Sequence, residues 1–322
     1  MERPTIPVHL VCGPLGIGKT TAIIHYLRRH AAAEFTAVLV NDFGPVGLDA
    51  AIMEGALPAA AQEHTSIKML PGGCVCCTSA AGFMGAMEQL RTMPRLDRII
   101  IEPSGLALVG DMVDLVESVQ AEYGLELRPV ITLVEPRLLD RAGFLKAPYY
   151  VRLVEAADVL VANRCDLASP DQLRRFEQWA AELYPPKERV VMTQQGELPD
   201  DVFTLRRERS RPAGQSHPRT NHVADQHAGG CVFEAKTVFE TDRVEKVLRE
   251  LAMNDVAGNE VLRLKAILHT QEGWKLYEIA RGESYCRPTD YRRDSRVDWI
   301  THGVPILDEV VSGRFQACEF KA

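Results

Sequence analysis

The chain has 322 residues, 46% of them hydrophobic and 25% charged, with a formal net charge of −7. That length allows two domains of ordinary size, and the acidic balance, with no basic stripe interleaved with aromatics, excludes a nucleic-acid footprint. No apolar run reaches the length of a membrane span, and the apolar N-terminal stretch lacks a basic flank and a cleavage site, so the expected location is the cytoplasm, away from any membrane. The eight cysteines are expected to be free thiols or metal ligands, not a disulfide framework.

A short buried strand is expected at 8–12, and a helix at 20–29 with Ile23, Ile24 and Leu27 on one face. Between them Gly13, Gly16, Ile17, Gly18, Lys19 and Thr20 fall within a G-x-x-x-x-G-K-[ST] pattern, and Thr21 follows it. Strand, glycine-rich loop and helix in that order form a phosphate cradle: backbone N–H groups turn inward, Lys19 reaches the terminal phosphates, and the Thr20 hydroxyl is placed to ligate Mg²⁺. Further strands are expected at 37–41, 67–70, 98–102, 129–134, 158–163 and 189–193. Helices are expected around 108–123 and 170–183, and another carries Phe83, Met87 and Leu90. This alternation predicts an α/β fold, a P-loop NTPase domain whose mostly parallel sheet is flanked by helices, over 1–205.

From 206 to 229 the chain is rich in Arg, His, Pro, Gly and Ser without apolar periodicity, and reads as an exposed linker. His217, His222 and His227 lie in it; their sparse spacing fits a solvated segment better than a metal site. A smaller C-terminal α/β domain is expected over 230–322. Its elements are a strand from Cys231, a helix at 242–252 with Val244, Val247, Leu248 and Leu251 on one face, and strands at 261–268, 274–280 and 297–300.

Four further motifs carry chemistry. Glu102 ends a run of three isoleucines and precedes Pro103, Ser104 and Gly105, as expected of a carboxylate delivered to the Mg²⁺ shell. Asn163, Arg164, Cys165 and Asp166 are similar to the N-K-x-D pattern that reads guanine, with an arginine in place of the lysine; an arginine can also stack on the base. Asp42, in the loop after the second strand, can touch Mg²⁺ or a bound metal, or equally cap a turn. Cys74, Cys76 and Cys77 form a C-x-C-C segment after two glycines. Three thiolates would occupy three positions of a tetrahedral site and leave one open for transfer, suiting Zn²⁺, Cu(I) or another thiophilic ion. A redox thiol pair and inert cysteines are the competing readings.

Taken in order, G-P-L-G-I-G-K-T-T, V-N-D-F-G-P-V-G-L-D, G-G-C-V-C-C-T, I-I-I-E-P-S-G-L-A and N-R-C-D resemble the CobW family of GTPases, relatives of the UreG and HypB nickel-insertion proteins. Leu262 to Leu268 resembles the family's R-x-K-G strand, with Ala266 in the glycine position. The resemblance implies a GTP-hydrolysing metallochaperone. It assigns Lys19, Thr20 and Glu102 to phosphate and Mg²⁺, Asn163 and Asp166 to guanine, and Cys74, Cys76 and Cys77 to a transferred metal, Zn²⁺ first, then Co²⁺, Ni²⁺ or Fe²⁺. It also implies a client metalloprotein and a nucleotide-dependent homodimer. The alternative is a nucleotide-binding, metal-sequestering or regulatory protein with little turnover, since no water-positioning glutamine is evident. A small-molecule kinase lacks an evident acceptor pocket or lid.

Overall fold

A computed structural model describes residues 5–30, 32–41, 44–70, 79–107, 109–141, 143–208, 226–253, 260–280, 282–303 and 305–320. The chain divides into two compact units, Met1–Asn41 with Leu57–Arg219, and Asp42–Ala56 with Thr220–Ala322.

The first unit is built on β1 (Ile6–Cys12), β2 (Thr36–Val40), β3 (Thr65–Met69), β4 (Arg98–Glu102), β5 (Leu125–Leu127), β6 (Ile131–Val134), β7 (Val159–Ala162) and β8 (Arg189–Met192). Their order in the sheet is β3-β2-β4-β1-β6-β7-β8, with β5 also pairing β1, and every pairing is parallel. Strands covered on both faces need no polar alternation. All five residues of β2 and all five of β4 are accordingly buried.

The helices of this unit are α1 (Lys19–His30), α3 (Ala59–Gln62), α4 (Ser79–Arg91), α5 (Val109–Tyr123), α6 (Pro148–Ala156) and α7 (Pro170–Ala181); α2 (Leu48–Ala56) belongs to the second unit. Phe83, Met87 and Leu90 of α4 enter the core with Met112, Val113 and Val116 of α5 and Leu10 and Ile99 of the sheet. A capping box starts α7: the Ser169 hydroxyl accepts from the Gln172 N–H while the Gln172 side chain accepts from the Ser169 N–H.

The second unit has a five-stranded antiparallel sheet, in the order β12 (Glu283–Pro288), β11 (Gly273–Ala280), β10 (Glu260–Thr270), β13 (Asp294–His302), β9 (Gln226–Glu234). One face carries Leu264, Ala266, Leu268, Val297 and Trp299. It packs on Val244, Leu248 and Leu251 of α8 (Thr241–Ala252) and on Val311 and Phe315 of α9 (Asp308–Gln316). Alternation puts Arg263, Lys265 and Asp298 on the other face, against α2. The expected linker reached 229, whereas β9 begins at Gln226, so His227 stands in a strand paired with Thr301. Backbone pairing along β13 sets this boundary, and the polar composition of 226–229 does not reveal it. His217 and His222 lie outside the described residues.

Candidate nucleotide and metal site

The glycine-rich loop leaves β1 after Cys12 and enters α1 at Lys19. The first N–H groups of a helix have no partner within it, so those of Lys19, Thr20 and Thr21 stand at an anion-attracting end. Gly18 has φ +100°, and a Cβ there would lie 2.7 Å from Asn163 Nδ2. Only glycine fits that backbone and that approach. Lys19 is buried, with Nζ 3.4 Å from the Pro14 carbonyl oxygen and 4.0 Å from Glu102 Oε1. Its ammonium therefore curls back over the loop.

Glu102 closes the other side. It ends β4, is 3% exposed, and accepts a hydrogen bond of 2.9 Å from Thr20 Oγ1. A hydroxyl and a carboxylate brought together in this way are hard oxygen donors of the kind Mg²⁺ takes. Just past the neighbouring strand β2, the Asn41 N–H donates to the Glu102 carbonyl at 2.9 Å, and its buried Nδ2 has no partner among the described residues. Beyond Glu102, a Cβ on Gly105 would meet Leu15 N at 2.7 Å, so this turn presses on the glycine-rich loop.

The Asn163–Asp166 segment is tied to the same loop. Asn163 is 2% exposed; its Nδ2 donates to the Ile17 carbonyl at 2.8 Å and its Oδ1 accepts from the Gly196 N–H at 3.0 Å. Arg164 is left-handed at φ +60° and donates from Nη2 to the Gly16 carbonyl at 2.7 Å, with Nη1 3.7 Å from the buried Glu135 carboxylate. Its guanidinium is thus spent on the loop and on Glu135. Asp166 is exposed in the short turn Cys165–Leu167, where its carboxylate can meet a base. Sequence reasoning missed Glu135 and the 193–197 segment. Thr193 accepts from the Cys165 N–H at 3.0 Å, and Gln195 has φ +52°. The dipeptide Gln195-Gly196 was the available signal of a turn.

Cys12 lies directly beneath the loop, and burial pushes its thiol well above the ordinary value, so it is inert packing. Asp42, Cys74, Cys76 and Cys77 lie outside the described residues. The structure frames the cysteine segment by its neighbours: β3 ends at Met69 and α4 begins at Ser79. Among the described residues no three His, Cys, Asp or Glu side chains form a group able to hold a metal, and no helix is long and apolar enough to cross a membrane.

A glycine-rich phosphate loop braced by an acidic strand end and by the turn at 163–166, all at the carboxyl edge of one parallel sheet, defines a P-loop nucleotide-binding protein. Residues 7–191 match the CobW/HypB/UreG nucleotide-binding domain, and the chain belongs to this family of GTPases. It is 28% identical over 281 residues to the zinc chaperone YeiR of Escherichia coli (strain K12), a match spanning 80% of this chain and 82% of that one. It is 30% identical over 222 residues to the zinc chaperone CobW of Pseudomonas aeruginosa, covering 62% of this chain and 59% of the relative. Among solved structures it is similar to Zn(II)-bound YjiA GTPase from E. coli, with a TM-score of 0.44, 18% identity and coverage of 98% and 99%.

Proposed function

We propose that this protein is a cytoplasmic, GTP-dependent metallochaperone that takes a thiophilic transition metal at Cys74, Cys76 and Cys77 and yields it to a client metalloprotein when GTP is hydrolysed. The names of the relatives in which zinc appears make Zn²⁺ the first cargo to test. In this reading the N–H groups at the start of α1 and the Lys19 ammonium bind the phosphates, Asp166 accepts from the guanine N1–H and amine, and Asn163 holds the base turn on the loop. Thr20 and Glu102 would hold Mg²⁺, which supplies charge neutralisation between the phosphates. Asp42 is a candidate second carboxylate for that ion or for the cargo.

The observation that carries the reading is the place of the cysteines in the chain. They fall between β3 and α4, after the phosphate loop and before Glu102, in the interval where γ-phosphate contacts order loops in nucleotide switches. α4 begins at Ser79, two positions after Cys77.

The test is anaerobic metal affinity for Zn²⁺, Co²⁺, Ni²⁺ and Fe²⁺, measured with GDP and with a non-hydrolysable GTP analogue, in the wild type and in a variant with all three cysteines changed to serine. The expected result is a shift of at least about fivefold between nucleotides, the size of an ordinary allosteric coupling, lost in the triple variant. Equal affinities in the triple variant and the wild type would sink the proposal. Slow hydrolysis that neither metal nor client stimulates would favour sequestration instead. Size-exclusion chromatography in the two nucleotides tests whether GTP drives dimerisation.

A further inference from the structure

The stretch that follows β2 in the chain does not stay with the nucleotide-binding unit. Asn41, hydrogen-bonded to Glu102, is the last residue of the first unit; residues 42–56 belong to the second, and the chain returns at Leu57. Inside the second unit this stretch is held by ion pairs almost out of water. Asp49 of α2 is 5% exposed and pairs with Lys265 Nζ, and with Arg263 Nη1 at 3.4 Å. Arg263 Nη2 pairs in turn with Asp298, fully buried on the neighbouring strand, at 3.3 Å, and Lys265 lies 3.5 Å from Glu278. Charges removed from water to this degree persist only when mutually paired, so removing Asp49 or Lys265 upsets the charge balance of the whole cluster.

The fit is close at both ends of the stretch. A Cβ on Gly44 would lie 2.5 Å from Asp298 Oδ2, and one on Gly55 would lie 2.8 Å from Tyr291 Cβ. Arg296 donates to the Val46 carbonyl at 2.7 Å.

We propose that Asp49, Arg263, Lys265 and Asp298 form a clamp that couples the C-terminal unit to the nucleotide state, by fixing to the C-terminal sheet the segment that runs on from Asn41 beside Glu102. These four are positioning residues: the segment is covalently continuous with a strand of the nucleotide site and rigidly held by the sheet. The proposal rests on the GTPase activity alone and is independent of the cargo.

Hydrogen-exchange mass spectrometry of the full chain, with GDP and with a non-hydrolysable GTP analogue, tests it. In the wild type the exchange of peptides from β10 and β13 is expected to differ at least threefold between the two nucleotides. Asp49→Asn abolishes that difference and speeds exchange within α2 at least tenfold, while nucleotide affinity stays within twofold of the wild type. Lys265→Gln gives the same result and serves if Asp49→Asn fails to fold. Glu54→Ala, which removes the exposed pair with Arg293, leaves the nucleotide difference intact. Identical β10 and β13 exchange in both nucleotides for the wild type, or a full difference retained in both clamp variants, would overturn the proposal. Neither result bears on metal affinity at the cysteines, so this test and that of the cargo fail separately.

Discussion

Asn163 holds two loops with one amide. Its side chain satisfies a carbonyl of the phosphate loop and an N–H of the 193–197 turn, both in buried surroundings. Asn163→Ala leaves those groups unpaired, at about 1–3 kcal/mol each. The GTP dissociation constant is therefore expected to rise at least about tenfold, read by calorimetry alongside a lowered melting temperature. An unchanged affinity would show that the brace is dispensable for binding.

A second residue, His9, makes stability depend on pH. Burial, then the guanidinium groups of Arg98 and Arg128, hold its imidazole well below the ordinary value, and it is 0% exposed on β1. The unfolded chain takes up this proton near pH 6.5 while the folded one does not, so the unfolded state binds more protons as pH falls. Above about pH 7 the residue adds no pH dependence; below 6.5 it costs up to about 1.4 kcal/mol per pH unit until the folded-state pKa is reached. His9→Gln is expected to flatten the fall in urea midpoint between pH 7 and 5. An unaltered slope would place the pH dependence elsewhere.

At the level of elements, legibility followed pattern strength. The three isoleucines before Glu102 announce a doubly covered strand, and β4 is buried throughout. Val244, Leu248 and Leu251 form the buried stripe of α8 at the spacing the sequence displays. By contrast, α2 left no such trace. Leu48 through Met53 are all buried, and a run of helix buried right round its first turn and a half has no polar face to reveal its period. The edge strand β12 failed for the opposite reason: five of its six residues are exposed, which removes the alternation by which a half-buried strand is recognised. Its pairing with β11, from Ala280↔Glu283 to Lys275↔Pro288, defines it instead.

For the molecule as a whole, the three crossings of the chain between units, after Asn41, Ala56 and Arg219, forbid a simple division. A fragment ending at Glu208 looks like a complete nucleotide-binding domain by composition, yet it retains α2 without Arg263 and Lys265. Asp49 would then have no cationic partner from the sheet, and α2 would lose its neighbours β10 and β13. Such a fragment is expected to be poorly soluble and to bind GTP with reduced affinity. Expression of the fragment beside the full chain checks this; a soluble fragment with full affinity would mean that residues 42–56 hold their place without the C-terminal sheet.

The phosphate loop, the acidic strand end and the base turn could be read from the chain because each is a contiguous run whose chemistry depends on spacing within a few residues. The family likeness rests on those same runs. The brace from Asn163 to Ile17 spans 146 positions and the clamp from Asp49 to Arg263 spans 214. Local periodicity carries no record of such pairs, because a side chain finds its distant counterpart only after sheet register and helix packing have set both backbones. That is why the glycine-rich loop, the acidic strand end and the N-x-x-D turn stand out in the sequence, while the place of residues 42–56 in the second unit is decided only by the folded chain.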